Sequence, residues 1–124
     1  MLKDMIGDLD GPMENDQIWL TYETDRPVAV AHVAPEKMTS GTWNLYLIAV
    51  HADRQGTGIG GQLMQYVERL LKEKDARLLI VETSDLDEFS LTRQFYTGLG
   101  YEKEAHIREF YDYGEGKVVF WKKL

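Results

Sequence analysis

Apolar and polar positions follow one rhythm in the first half of the chain and another after its middle. The stretch 18-IWLTYETD-25 is dense in aromatic and β-branched residues, the composition of a strand. Asp25-Arg26-Pro27 then suits a turn, because proline arrives with its φ already set. Two further strands are predicted over 28-VAVAHVAP-35 and 43-WNLYLIAV-50, joined by the loop 36-EKMTSGT-42. Short links between three successive strands predict an antiparallel meander. Residues 1–16 are polar and carry Gly7, Gly11 and Pro12. They are read as a short N-terminal segment, with a short helix over Leu2 to Leu9, ahead of a single domain spanning 17–124.

From Ile59 onward the apolar positions are Leu63, Met64, Val67, Leu70 and Leu71, a spacing that gives a helix one buried face. That helix is predicted from near Gly58 to Lys74-Asp75. The nearly continuous apolar run 78-LLIVE-82 predicts a strand covered on both faces. A second helix is predicted over Phe89 to Gly98, with Leu91, Phe95 and Leu99 on one side and Gly98 and Gly100 ending it. The segments 105-AHIREFYDY-113 and 117-KVVFWKKL-124 flank the turn Gly114-Glu115-Gly116 and predict a hairpin. The expected order is β-β-β-α-β-α-β-β, a mixed α/β (α+β) domain around one sheet.

Composition narrows the functional classes. A chain of 124 residues with 44% hydrophobic and 28% charged residues has the makings of one globular domain rather than a disordered segment. The net charge of −7 and the lack of a basic stripe argue against nucleic acid as a partner. An acidic surface favours a cationic substrate instead. With no cysteine, disulfides and cysteine chemistry are excluded, and no metal site is expected. The N-terminus is charged where a signal peptide needs an apolar core, and Leu45 to Val50 is too short to span a bilayer. These features lead to the expectation of a soluble, cytoplasmic protein with no membrane partner.

The candidate chemistry lies in 50-VHADRQGTGIGGQL-63, where four glycines fall within six residues between a strand and a helix. A helix N-terminus offers unpaired N–H groups and the positive end of a dipole, and glycine lets the backbone close around an anion. Read as Gly56-x-Gly58-x-x-Gly61, the stretch fits a dinucleotide fingerprint. That reading asks for the glycines right at the strand end and for a βαβ unit that opens the fold. Here Gly56 lies well beyond Val50, three antiparallel strands come first, and too few residues follow Glu82 to complete a doubly wound sheet. A glycine-rich turn with no ligand is the simplest alternative. It leaves unexplained why a helix should begin with Gly-Gly, each costing roughly 1 kcal/mol against Ala.

Read as Gln55-x-x-Gly58-x-Gly60, the same stretch resembles the coenzyme A pyrophosphate loop of the GNAT N-acetyltransferase superfamily. The resemblance extends over roughly residues 17–124. It is carried by 45-LYLIAVHADRQGTGIGGQLM-64, by the strand 79-LIVET-83, by 95-FYTGLGY-101 and by the C-terminal 105-AHIREFYDYGEGKVVFWKKL-124. It implies a GNAT-like acyl-CoA N-acyltransferase fold and transfer of an acetyl group from acetyl-CoA directly to a primary amine of a small molecule or protein. By that resemblance the backbone of Ile48, Ala49 and Val50 pairs with the pantetheine arm. The amides of Gln55, Gly56, Thr57, Gly58, Ile59, Gly60 and Gly61 hold the pyrophosphate.

Tyr96 takes the place of the family's general acid, donating to the leaving thiolate. Glu82 is the first candidate for the base that takes the amine proton, and His51 the second. The family's second motif often has Asn and Ala where this chain has Phe89 and Thr92. Family members also usually carry more chain, one strand and one or two helices, before the first strand read here. An alternative from another class is therefore a non-catalytic acyl-CoA-binding or regulatory module. The expected lack of a first strand leaves a sheet edge that a homodimer would protect.

Overall fold

The computed structural model describes the backbone of residues 2–6 and the whole of residues 17–124. Seven strands form one sheet: β1 (Leu2–Ile6), β2 (Ile18–Glu23), β3 (Pro27–Pro35), β4 (Thr42–Val50), β5 (Leu78–Ser84), β6 (Glu102–Asp112) and β7 (Glu115–Lys123). Their order across the sheet is β1-β2-β3-β4-β5-β7-β6. Every neighbouring pair is antiparallel except β4 and β5, which run parallel because helix α1 (Ile59–Glu73) carries the chain back between them. Helix α2 (Ser90–Gly98) links β5 to the terminal hairpin β6–β7. The meander β2–β3–β4 and the hairpin are present as strand composition and turn residues predict, but the hairpin turn is Tyr113-Gly114, with Glu115 and Gly116 already in β7.

Two expectations are corrected. Residues 2–6 form a strand, not the start of a helix, and pair antiparallel with β2 from Leu2↔Tyr22 to Ile6↔Ile18. The remainder of the expected helix, residues 7–9, lies outside the described residues. A helix as short as Leu2 to Leu9 is marginal on its own, whereas the free edge of β2 supplies a ready row of hydrogen-bonding partners. A strand therefore precedes the three that alternation predicts. The second correction concerns β5, which is covered on one face only. Leu79 and Val81 are buried, while Leu78, Ile80 and Glu82 are half-exposed.

Both helices pack on the same side of the sheet. α1 inserts Ile59, Leu63, Met64, Val67 and Leu71. These meet Leu20, Ala31, Val33, Leu45, Leu79, Val81 and Phe120 in one apolar cluster. α2 adds Tyr96 to that cluster, with its ring 5.8 Å from Phe120 and 5.8 Å from Tyr101. The expected apolar side of α2 is buried only in part. Phe95 and Leu99 are half-buried, and Leu91 is 76% exposed. α2 closes on Gly100, at φ +92°, where the left-handed conformation lets the Tyr101 N–H return to the Tyr96 carbonyl at 3.0 Å. Beneath α1, Glu68 accepts from the Tyr101 hydroxyl at 2.7 Å and pairs with Lys122 at 3.0 Å. These contacts tie the helix to the end of β7.

One inserted residue reorganises β4. Its pairing with β3 steps from His32↔Leu47 to Val33↔Leu45, so Tyr46 is an extra residue, a β-bulge. The insertion shifts the alternation by one. Leu45 faces the helices opposite Val33, and beyond the bulge Ile48 and Val50 face them too, opposite Ala31 and Ala29. Pairing of β4 with β5 spans only Thr42↔Leu78 to Leu45↔Val81. Past the bulge the two strands part.

The core analysis predicts the cost of truncating α1. Leu63 is fully buried, so Leu63→Ala should lower unfolding stability by about 2–5 kcal/mol. The change would be read as a reduced urea midpoint at unchanged slope.

Candidate functional site

The glycine loop hangs from the end of β4 by side-chain hydrogen bonds. The Gln55 carboxamide donates to the Val50 carbonyl at 3.1 Å, and the Thr57 hydroxyl donates to the Arg54 carbonyl. Arg54 donates to the Thr24 hydroxyl and the Asp25 carboxylate, both at 3.2 Å, which fixes the loop to the β2–β3 turn. The turn's hydrogen bonds hold the Asp25 carboxyl below its ordinary pKa, that from Thr24 first. His51 lies within 2.8 Å of Asp53 through Nδ1 and caps the short turn Ala52–Arg54.

Gly56 and Gly58 then adopt φ +78° and +87°, in the left-handed region that side chains resist. Gly58 caps α1. The first helical bond of α1 runs from the Gln62 N–H to the Gly58 carbonyl at 3.1 Å. The N–H groups of Ile59, Gly60 and Gly61 precede it and have no partner within the helix.

The glycines divide by what surrounds them. A Cβ at Gly56, Gly58 or Gly61 would meet nothing within 4 Å, so at these positions the bare backbone borders open space. A Cβ at Gly60 would press on the Phe95 ring at 3.3 Å, so that glycine serves the contact between α1 and α2. The open space is a cleft of about 620 Å³ on the helical face of the sheet. Ile48 and Val50 line one wall, the loop from Arg54 to Gly61 closes one end, and Leu91, Thr92, Phe95 and Tyr96 of α2 form the other wall. The exposure of Leu91 is explained by this cleft, which it flanks.

The β4 wall also offers backbone. Ile48, Ala49 and Val50 pair with β3 on one side only, because β5 has already departed on the other. The structure thus brings together Ile48, Val50, the glycine loop and Tyr96. Tyr96 is 3% exposed and lines the cleft. Burial pushes its pKa up to about 12, so the phenol stays protonated and available as a donor.

Glu82 stands apart from the cleft. It lies on the opposite face of the sheet, just past the last β4–β5 pair, and its carboxylate is 3.4 Å from the Lys117 ammonium. Lys117 in turn sits 3.7 Å over the Phe110 ring. His51 is exposed and occupied with Asp53. Sequence reasoning did not single out Arg54, Leu91, Thr92 and Phe95 as wall residues. Leu91 with Phe95 and Thr92 with Tyr96 are i,i+4 neighbours on α2, and that spacing is legible once Tyr96 is placed.

Comparison with known proteins shows the family and the fold. The family model described as an acetyltransferase (GNAT) domain matches residues 14–103. The chain belongs to the GNAT acetyltransferase family, and its fold is the acyl-CoA N-acyltransferase fold of that family. A GNAT-family crystal structure from Desulfovibrio desulfuricans is 32% identical, covers 87% of this chain and 69% of its own, and superposes with a TM-score of 0.84. Two more distant structures share the fold. The ribosomal-protein-S18-alanine N-acetyltransferase of Escherichia coli is 17% identical, with 90% of this chain and 71% of that one covered and a TM-score of 0.76. An aminoglycoside 6'-N-acetyltransferase complexed with coenzyme A is 18% identical, with 87% and 73% covered and a TM-score of 0.77. Among curated proteins the sequence finds no match.

Gly58 and Gly61 both border open space but differ in backbone conformation, and so make opposite predictions. Gly58→Ala forces a Cβ into the left-handed region and should cost about 1–2 kcal/mol of stability. Gly61→Ala sits in the first turn of α1 with free space around it and should gain about 0.5–1 kcal/mol from helix propensity. Thermal unfolding of both variants reads the difference in sign.

Proposed function

We propose that the protein transfers the acetyl group of acetyl-CoA to a primary amine of a small molecule or protein. The observation that carries this reading is the continuity of one cleft: bare helix-end backbone at one end, an unpaired strand edge along one wall, and a buried tyrosine on the other. These match in order the three chemical parts of the donor, an anionic pyrophosphate, an amide-bearing arm and a thioester. The neighbour solved with coenzyme A supports the donor's identity.

In this reading the N–H groups from Gly56 to Gly61 receive the pyrophosphate, with Gln55 and Thr57 holding the loop in shape rather than touching the ligand by side chain. The free edge of Ile48 to Val50 hydrogen-bonds the amide-bearing arm. The acceptor approaches from the opposite face, through the gap between β4 and β5. Its nitrogen forms a bond to the thioester carbonyl carbon as the carbon–sulfur bond breaks.

Tyr96 stabilises the departing sulfur by donating a hydrogen bond. With its pKa raised to about 12, against a thiol's ordinary value of roughly 8.5, it keeps its own proton at the end of the step. Glu82, beside the gap on the acceptor side, takes the amine proton. Its pairing with Lys117 favours a second reading, a non-catalytic acyl-CoA-binding module, because that contact competes for the same carboxylate.

The first test is thermal unfolding with acetyl-CoA, coenzyme A and NAD(H). A ligand at about 100 times its Kd adds roughly 2.7 kcal/mol, an easily read rise in Tm. Both coenzyme A forms should raise Tm and NAD(H) should not. Tyr96→Phe should then lower kcat about 100-fold while leaving coenzyme A affinity within a factor of about three. Coenzyme A binding without turnover across a broad amine panel would establish the module reading instead.

A further inference from the structure

The sheet face opposite the helices holds a second recess, of about 600 Å³, between the β3–β4 loop and the bulge. Its walls include Gln17, His32, Pro35, Glu36, Thr39 and Tyr46. Glu36 is the centre of the arrangement. Its Oε1 accepts from the Asn44 carboxamide at 3.0 Å and from the Tyr46 hydroxyl at 2.8 Å. Asn44 is 3% exposed, so the carboxylate is aimed by a buried donor rather than left to wander at the surface. The other oxygen, Oε2, makes no hydrogen bond among the described residues. A carboxylate that lines a cavity and is held through one oxygen keeps acceptor capacity on the other for a donor group.

The surrounding groups favour a cation. Trp19 stacks on His32 with centroids 4.1 Å apart, and His32 lies 5.7 Å from the Tyr46 ring, giving a row of aromatic rings beside the carboxylate. Aromatic faces attract ammonium groups. His32 contributes no competing charge at neutral pH, because burial lowers its pKa. Its Nε2 is occupied by the Gln17 side chain at 3.0 Å. Tyr46 feels the charge of Glu82 as well as Glu36, and with the hydrogen bond to Glu36 as the largest cause its pKa rises to about 12. The opposing cation is Lys37, which lines the recess and is exposed, whereas Glu36 is half-buried. Tyr46 is also the bulge residue, one position past the last β4–β5 pair, so the recess adjoins the gap through which an acceptor reaches the cleft.

We propose that this recess binds a second, positively charged amino group of the acceptor, with Glu36 as its counter-ion, so that the preferred acceptors are diamines or longer oligoamines. The inference rests on the acetyl-transfer reading for the word acceptor. The binding of a dication on this face does not depend on it.

The test titrates the protein saturated with coenzyme A with 1,4-diaminobutane and with n-butylamine, which match in length and differ in one charge. Binding is followed by calorimetry and by the NMR shift of the Trp19 indole, with the Trp43 indole on the helical face as the internal control. The diamine should bind about tenfold more tightly than the monoamine and should move Trp19 but not Trp43. Glu36→Gln should remove that preference with coenzyme A affinity within a factor of about two. Glu36→Asp, which keeps the charge, should retain part of it and serves should the Gln variant not fold.

Equal affinities for the two amines in the native protein would overturn the proposal, as would a preference that survives Glu36→Gln. If coenzyme A does not bind but the Glu36-dependent preference is present in the free protein, the donor reading fails and the recess stands.

Discussion

β4 and β5 share only four paired positions, and the chemistry of the molecule depends on where that partnership stops. A parallel pair paired along its whole length would seal the sheet and leave no route from one face to the other. Here the bulge at Tyr46 adds twist at the point where the strands part. It also reverses the alternation, so that Ile48 and Val50 look toward the helices, as Leu45 does. The same insertion therefore opens the gap, points two apolar side chains into the cleft, and leaves a length of backbone without a neighbour. Each of these would be lost if β4 ran straight.

The two faces of the sheet divide the physical work. The helical face is apolar and carries the stability, from Leu63 and Leu71 on α1 to Val81 and Phe120 beneath them. The other face is aromatic and charged, from Trp19 and His32 across Tyr46 to Glu82 and Lys117. No helix covers that face among the described residues. A ligand meeting the first face encounters dipoles and hydrocarbon, and one meeting the second encounters rings and carboxylates. The gap is where these two environments come within one strand's width of each other.

Local sequence rules reached some of this and not the rest. The strands from Ile18 to Val50, the glycine loop and α1 were legible because alternation, glycine chemistry and helical spacing are short-range signals. Strand β1 was not. Leu2–Ile6 has no pronounced pattern of its own, and its conformation is decided by the waiting edge of β2. The half-open state of β5 was missed for a related reason: an apolar run does not say on which face the helices will settle. Tyr96 was singled out only through the resemblance of 95-FYTGLGY-101 to the family's motif, not by a spacing rule. The partnership of Glu82 with Lys117, and of Glu36 with Asn44 and Tyr46, joins residues across strands. No spacing rule reaches such pairs.

The start of α1 carries a consequence for how the molecule moves. Gly56, Gly58, Gly60 and Gly61 are the residues with the greatest backbone freedom, and they stand where a helix is hardest to nucleate. Of the four, only Gly60 has a neighbour where a Cβ would stand, the Phe95 ring. An anion seated against these N–H groups would restrict that freedom, and the side-chain hydrogen bonds of Arg54, Gln55 and Thr57 already hold part of the loop in place. On the acetyl-transfer reading, a bound anion would also partner the N–H groups of the first turn of α1 and slow the fraying of that helix end. Amide hydrogen exchange at Ile59 through Gln62 is then a gauge of occupancy, and the helix start behaves as a latch that the ligand itself fastens.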